Sequence, residues 1–180
     1  ALPISPSLES GGITRAGMAI AKACYDTLRK YGKAAIAACE NNVVTPALDA
    51  IIEATVYLSG VGADNVNCAA PHSFYNGVTS LGGHEAYHGN CVAFGTLIQL
   101  TLECADKAEF EDIQNFCIEV GLPITLAELG DFTDEDLHTI AKNACVKGET
   151  IHNLAGDVTP DELYAAIIAT DALGKARLGK

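Results

Sequence analysis

The chain has 180 residues, enough for one ordinary domain with a real core and short of what two comfortable domains need. Nearly half of it is apolar (49%), tryptophan is absent, and the formal net charge is −12. This balance excludes disordered and collagen-like classes, sets the surface against phosphate backbones and anionic headgroups so that neither nucleic acid nor a membrane surface is expected as a partner, and favours a helical globular protein.

Residues 1–13, rich in Ser, Pro and Gly, read as a loop or linker. A domain seldom opens that way or at an alanine, so a preceding segment, removed or left out, is expected. Ala1-Leu2-Pro3-Ile4 lacks the basic run of a secretory signal, and no stretch reaches the roughly 18 consecutive apolar residues of a membrane span. From Thr14 to Tyr31, Met18, Ala21, Cys24, Tyr25 and Leu28 share one helical face, with Gly32 as the expected stop. The segment 43–62 begins with Thr45 as cap and Pro46 at the first helical position, then runs through Leu48, Ile51, Ile52, Thr55 and Leu58, apolar enough for a central helix.

The run from Cys91 to Cys104 is almost wholly apolar and belongs in a core or at a subunit interface. Ala108–Val120 is amphipathic and ends at Gly121, with Pro123 beyond. The stretches 132–145 and 158–180 each open with a threonine cap and acidic first-turn residues, and Thr159-Pro160-Asp161-Glu162 is a capping-box pattern. Acidic blocks such as 109–112 and 134–136 read as solvated first turns whose charge complements the helix dipole. With no fixed-period repeat and no internal shift in composition, the expected fold is all-α, a multi-helix bundle over 14–180.

The seven cysteines (24, 39, 68, 91, 104, 117 and 145) are odd in number, form no C-x-x-C and lie mostly in apolar helical patterns. Buried, reduced thiols and a cytoplasmic setting follow as expectations.

Three of the five histidines, His72, His84 and His88, fall within "AAPHSFYNGVTSLGGHEAYHGNCVAFG", residues 69–95. A lone buried histidine is most often a satisfied core residue, and exposed ones can simply be solvated. The small residues around His72 and the Gly82-Gly83 turn would nevertheless let the chain reverse and bring His88 back beside His72. Two imidazoles so placed can grip a divalent ion, but catalytic zinc normally has three protein ligands. His84 fits a third ligand or a plain surface role equally well.

The segments "VVTPALDAIIEATVYLSGVG", "HSFYNG", "HGNCVAFGTLIQLTLE", "VGLPITLAEL" and "GETIHN", in this order and over nearly the whole chain, resemble landmarks of the glycerol dehydrogenases within the iron-containing alcohol dehydrogenase family. The resemblance implies a carboxy-terminal helical domain that closes a cleft against a separate nucleotide-binding half. It also implies oxidation of glycerol, or a glycerol-like polyol, to dihydroxyacetone with NAD at a zinc held by one Asp and two His. His72 and His88 match the two histidine positions. The family's aspartate ligand lies in a Gly-x-Gly-Asp-Ala-like segment upstream of this chain, and neither Gly130-Asp131 nor Gly156-Asp157 has that context. No G-x-G-x-x-G for a dinucleotide occurs either, so no cofactor-binding residue is assigned. Where the family usually has a further histidine, three residues after the first, this chain has Tyr75, a poor zinc ligand but a hydrogen-bond donor for a substrate oxygen. "GADNVNCAAPH" also replaces a glycine-rich lead-in and puts Pro71 directly before the ligand position.

Three function classes follow. The chain is the metal-binding half of a truncated NAD-dependent polyol oxidoreductase, inactive by itself; or a non-catalytic remnant with a structural, oligomerising role; or an independent metal module built on His72, His84 and His88. Homo-oligomerisation is expected in the first two, with the 91–104 helix and the 48–58 stripe as candidate faces.

Overall fold

The computed structural model describes residues 13–83 and 86–179. The loop expected over 1–13 therefore lies, up to residue 12, outside the described residues. All regular structure among them is helical, as the sequence predicts, and the chain divides between Asn67 and Cys68 into two compact units.

The amino-terminal unit is an antiparallel pair of helices. Helix α1 (Arg15–Glu40) starts where Thr14 accepts a hydrogen bond from the Gly17 N–H at 3.0 Å. It does not stop at Gly32. The alanine-rich sequel, with Ala35 and Ala38 buried, outweighs the roughly 1 kcal/mol that glycine costs inside a helix. The stop comes instead at Asn41 and Asn42, the latter at φ +52°. The second helix begins at Thr45 and Pro46 as predicted and runs on to Val66 as α2 (Pro46–Glu53), a π-helical turn (Ala54–Leu58) and α3 (Ser59–Val66).

Small residues let this pair approach closely: Cys24 donates its thiol to the Ala54 carbonyl at 3.5 Å, and a Cβ on Gly17 would stand 2.6 Å from that of Asn65. Tyr25, predicted on the inward face, is 48% exposed, whereas Cys24 is buried and Met18, Ala21 and Leu28 are half-buried. Ile52, Val56 and Tyr57 also remain exposed.

The carboxy-terminal unit holds α4 (Ala70–Thr79), α5 (His88–Leu102), α6 (Lys107–Glu119), α7 (Asp134–Ala144) and α8 (Pro160–Arg177). The apolar run becomes the interior of this unit. Cys91, Phe94, Leu97 and Ile98 of α5 are fully buried, and Phe94 meets Phe74 of α4 with ring centroids 5.7 Å apart. Ile140, Ile151, Leu163 and Ile167 complete one cluster, while Leu97, Leu100, Phe110, Cys117 and Ile124 form a second around α6.

Both predicted caps form. Thr133 pairs with Asp136 at α7, and Thr159 with Glu162 at α8. These bonds hold the Glu162 carboxyl below its ordinary pKa. Thr159→Ala is expected to lower stability by about 1 kcal/mol, read by urea unfolding. No change would mean that Pro160 alone fixes the helix start.

All seven cysteines are free, but only Cys24, Cys91 and Cys117 are buried. Cys68 and Cys145 are half-buried, and Cys39 and Cys104, at the carboxy-terminal ends of α1 and α5, are exposed. Burial pushes the Cys91 thiol up to about 11.

Candidate metal centre

His72 occupies the first turn of α4. The backbone enters through Asn67 at φ +58°, and Pro71 sits in the first turn, where a missing N–H costs nothing. Ala69, at the cap position, offers no side chain for capping.

The segment 148–153, "GETIHN", ties this entry down instead. Thr150 donates its hydroxyl to the Ala69 carbonyl at 2.8 Å, and Asn153 donates its side-chain amide to the Cys68 carbonyl at 2.8 Å. The buried Ile151 N–H donates to Ser73 Oγ at 2.6 Å, and the Ser73 and Thr150 hydroxyls share a bond of 3.0 Å. One turn on, Asn76 donates to Glu149 at 2.9 Å. Sequence reasoning assigned none of these positioning roles. The partners lie 73–85 residues apart, and nothing in the spacing of serines, threonines and asparagines announces such pairs.

His88 opens α5 after the predicted turn, where Gly82 and Gly83 adopt φ +67° and +81°. Two turns further along, Gly95 lies directly on Pro71. A Cβ at Gly95 would come within 2.7 Å of Pro71 Cα. This close approach sets the start of α4 against α5 and brings the two imidazoles together, with ring centroids 5.3 Å apart and planes inclined at 58°. Tyr75, on the same face of α4 as His72, meets the His88 ring edge-on, with centroids 4.5 Å apart. The Cys68 thiol lies 3.7 Å from His72 Nε2.

His72 is half-buried and His88 exposed. Burial first, and the neighbouring His88 second, hold the His72 pKa below its ordinary 6.5. The neutral ring therefore predominates at pH 7, the form that can offer a lone pair to a cation. Protonating it costs more in the fold than in the unfolded chain. Its effect on stability is therefore nil above pH 6.5 and grows as the pH falls from 6.5 towards the lower folded value. An NMR titration of the histidine ring protons should give His72 a midpoint under 6.5; a midpoint above it would contradict this burial.

Neither of the other two described histidines joins the pair. His84 lies outside the described residues. His138 stacks on Tyr164 at 4.0 Å, and His152 is bonded to the Val146 carbonyl at 3.2 Å. Two adjacent imidazoles are the donors zinc accepts, so His72 and His88 fit two ligand positions. Among the described residues, no group of three or more His, Cys, Asp or Glu side chains could hold a metal, so a zinc ion here needs a further donor from elsewhere.

No protein-family model matches the chain, but individual relatives do. Glycerol dehydrogenase of Pseudomonas putida is 44% identical over 173 residues, which make up 94% of this chain and 47% of that protein. Glycolaldehyde reductase of Halobacterium salinarum is 44% identical over 171 residues, 93% of this chain and 47% of that protein. Among solved structures, a probable glycerol dehydrogenase from Sinorhizobium meliloti superposes with a TM-score of 0.88 at 41% identity, covering 92% of this chain and 48% of that one. The chain thus spans about half the length of the relatives it matches. Likeness in sequence and in backbone course coincides over that shared half, and on both grounds the chain belongs to the glycerol dehydrogenase family and corresponds to its carboxy-terminal helical domain.

Proposed function

We propose that this chain supplies the metal-binding half of an NAD-dependent polyol oxidoreductase and is not catalytic by itself. The observation that carries the reading is the 5.3 Å approach of the His72 and His88 rings at the start of α5 and of α4, whose entry "GETIHN" ties down. His72 and His88 serve as two zinc ligands, with the third from residues outside those described. When bound, zinc acts as a Lewis acid that lowers the pKa of an alcohol hydroxyl, preparing the carbon for hydride loss to nicotinamide.

The chain's own residues do the placing. Neutral His72 presents a lone pair without first losing a proton, Tyr75 offers its hydroxyl to a substrate oxygen, and α4 and α5 hold both at fixed separation. Glycerol and glycolaldehyde, named for the relatives, support small hydroxy compounds as the substrate class. A nucleotide-binding half brings NAD. Self-association through the exposed Ile52, Val56 and Tyr57 face, and a cytoplasmic setting consistent with free cysteines, complete the reading.

The test is complementation. The chain is mixed with the amino-terminal half of the Pseudomonas putida relative, zinc, NAD and glycerol, and NADH formation is followed at 340 nm. Activity is expected only with both halves, and His72→Ala or His88→Ala should reduce it at least a hundredfold with helicity unchanged. A stable, zinc-loaded complex without NADH formation would contradict the proposal.

A second reading, a non-catalytic oligomerising protein, is favoured by the lack of a three-donor group among the described residues and by Tyr75 standing edge-on to His88. It predicts a stable assembly in which zinc changes neither mass nor melting temperature.

A further inference from the structure

At the far end of α5 lies a second, unrelated feature. Where α5 ends against α6 and α8, a cleft of about 560 Å³ opens, within the range that holds small organic ligands. Counted along α5, it begins at Leu100, twelve residues from His88 and so about 18 Å away at 1.5 Å per residue. It is not part of the metal centre.

Three properties of this cleft point to one kind of occupant. Its walls are mainly apolar, from Leu100, Phe110 and Leu173. Gln114, 3% exposed, lines it, and its Nε2 is buried without a hydrogen-bond partner. A buried donor left unmade is costly, and few native side chains tolerate it. Finally, Lys107 and Arg177 border the cleft against the single carboxylate of Glu111, a local surplus of positive charge on a chain of net charge −12. Neither cation is fully engaged. Lys107 lies 3.7 Å from Glu111 across an exposed pair, and Arg177 donates to the neutral Asn115.

We propose that this cleft binds a small carboxylic acid with an apolar body. Gln114 turns its Nε2–H out to one carboxylate oxygen, Arg177 and Lys107 offset the charge, and the hydrocarbon portion lies against Leu100, Phe110 and Leu173. The apolar walls favour an aromatic or branched acid over a hydroxylated one, and so a ligand unlike a polyol.

The probe is 4-fluorobenzoate, titrated into the full 180-residue chain and followed by 19F NMR, with the neutral 4-fluorobenzamide as control. Saturable binding is expected, at least fivefold tighter for the acid than for the amide. Gln114→Leu should weaken it about tenfold, the worth of one hydrogen bond to a charged group, while raising the melting temperature because the orphan donor is gone. Arg177→Gln should weaken it several-fold and flatten its salt dependence. Cys104, exposed and lining the cleft, gives an independent readout. Bound acid should slow its alkylation and leave that of Cys39, exposed in the other unit, unchanged. Should Gln114→Leu not fold, Gln114→Glu, which sets a like charge against the acid, carries the same expectation of weakened binding. Shifts that do not saturate, equal affinity for acid and amide, or undiminished binding in the Gln114 variants would overturn the proposal and leave Gln114 served by a buried water.

Discussion

Gly95→Ala is expected to lower stability by about 2 kcal/mol and to separate the two imidazoles of the candidate centre. The added methyl would lie 2.7 Å from Pro71 Cα and 3.0 Å from the Pro71 carbonyl oxygen, and both are backbone atoms that cannot swing aside. Relief requires the start of α4 to move off α5, and overpacking of this kind typically costs 1–3 kcal/mol. Because His72 follows Pro71 directly, the shift is transmitted to its ring. Urea unfolding measures the first effect, and zinc titration monitored on the histidine resonances measures the second. In the variant, zinc should no longer perturb His72 and His88 together. An alanine variant of native stability with both rings still coupled would show that the helices have slack the structure does not contain.

Ser73→Ala tests the other side of the same arrangement. Ser73 is fully buried, accepts from the Ile151 N–H at 2.6 Å and shares a bond with Thr150. Removing its oxygen leaves a buried backbone donor unpaired, a loss of about 2 kcal/mol. It also loosens the "GETIHN" strap over the α4 entry. Ligands whose supporting hydrogen bonds are removed commonly lose affinity by 10- to 100-fold, so zinc binding should weaken by roughly tenfold or more. Ser73→Thr, which keeps the hydroxyl, should recover the affinity if its extra methyl is accommodated. Weakened stability with unchanged zinc affinity would make the strap structural only.

The helix starts were legible because capping chemistry is local. Thr45-Pro46, Thr133 through Asp136 and Thr159 through Glu162 each place a cap, and each forms. The end of α1 was not, since a single glycine is a weak stop when alanines follow and the helix has a partner to pack on. Nor was the π-turn at 54–58, which no residue spacing in the sequence announces. At the candidate centre, the Gly82-Gly83 reversal and the meeting of His72 with His88 could be argued from the chain itself. Gly95 could not. Within an apolar run it reads as one more small residue, and its role exists only against Pro71, 24 positions earlier. The contacts of Ser73, Thr150 and Asn153 are hidden for the same reason. Such side chains satisfy backbone groups everywhere, and only folding decides which.

The proposed convergence of His72 and His88 on a common ion is tested most directly by titrating zinc into the chain labelled with 15N at histidine and following the ring nitrogens. A single saturable event of one zinc per chain, shifting a nitrogen of His72 and one of His88 in step while His138 and His152 stay put, is the predicted result. Independent shifts of the two rings, or zinc settling on His138 or His152 instead, would contradict it.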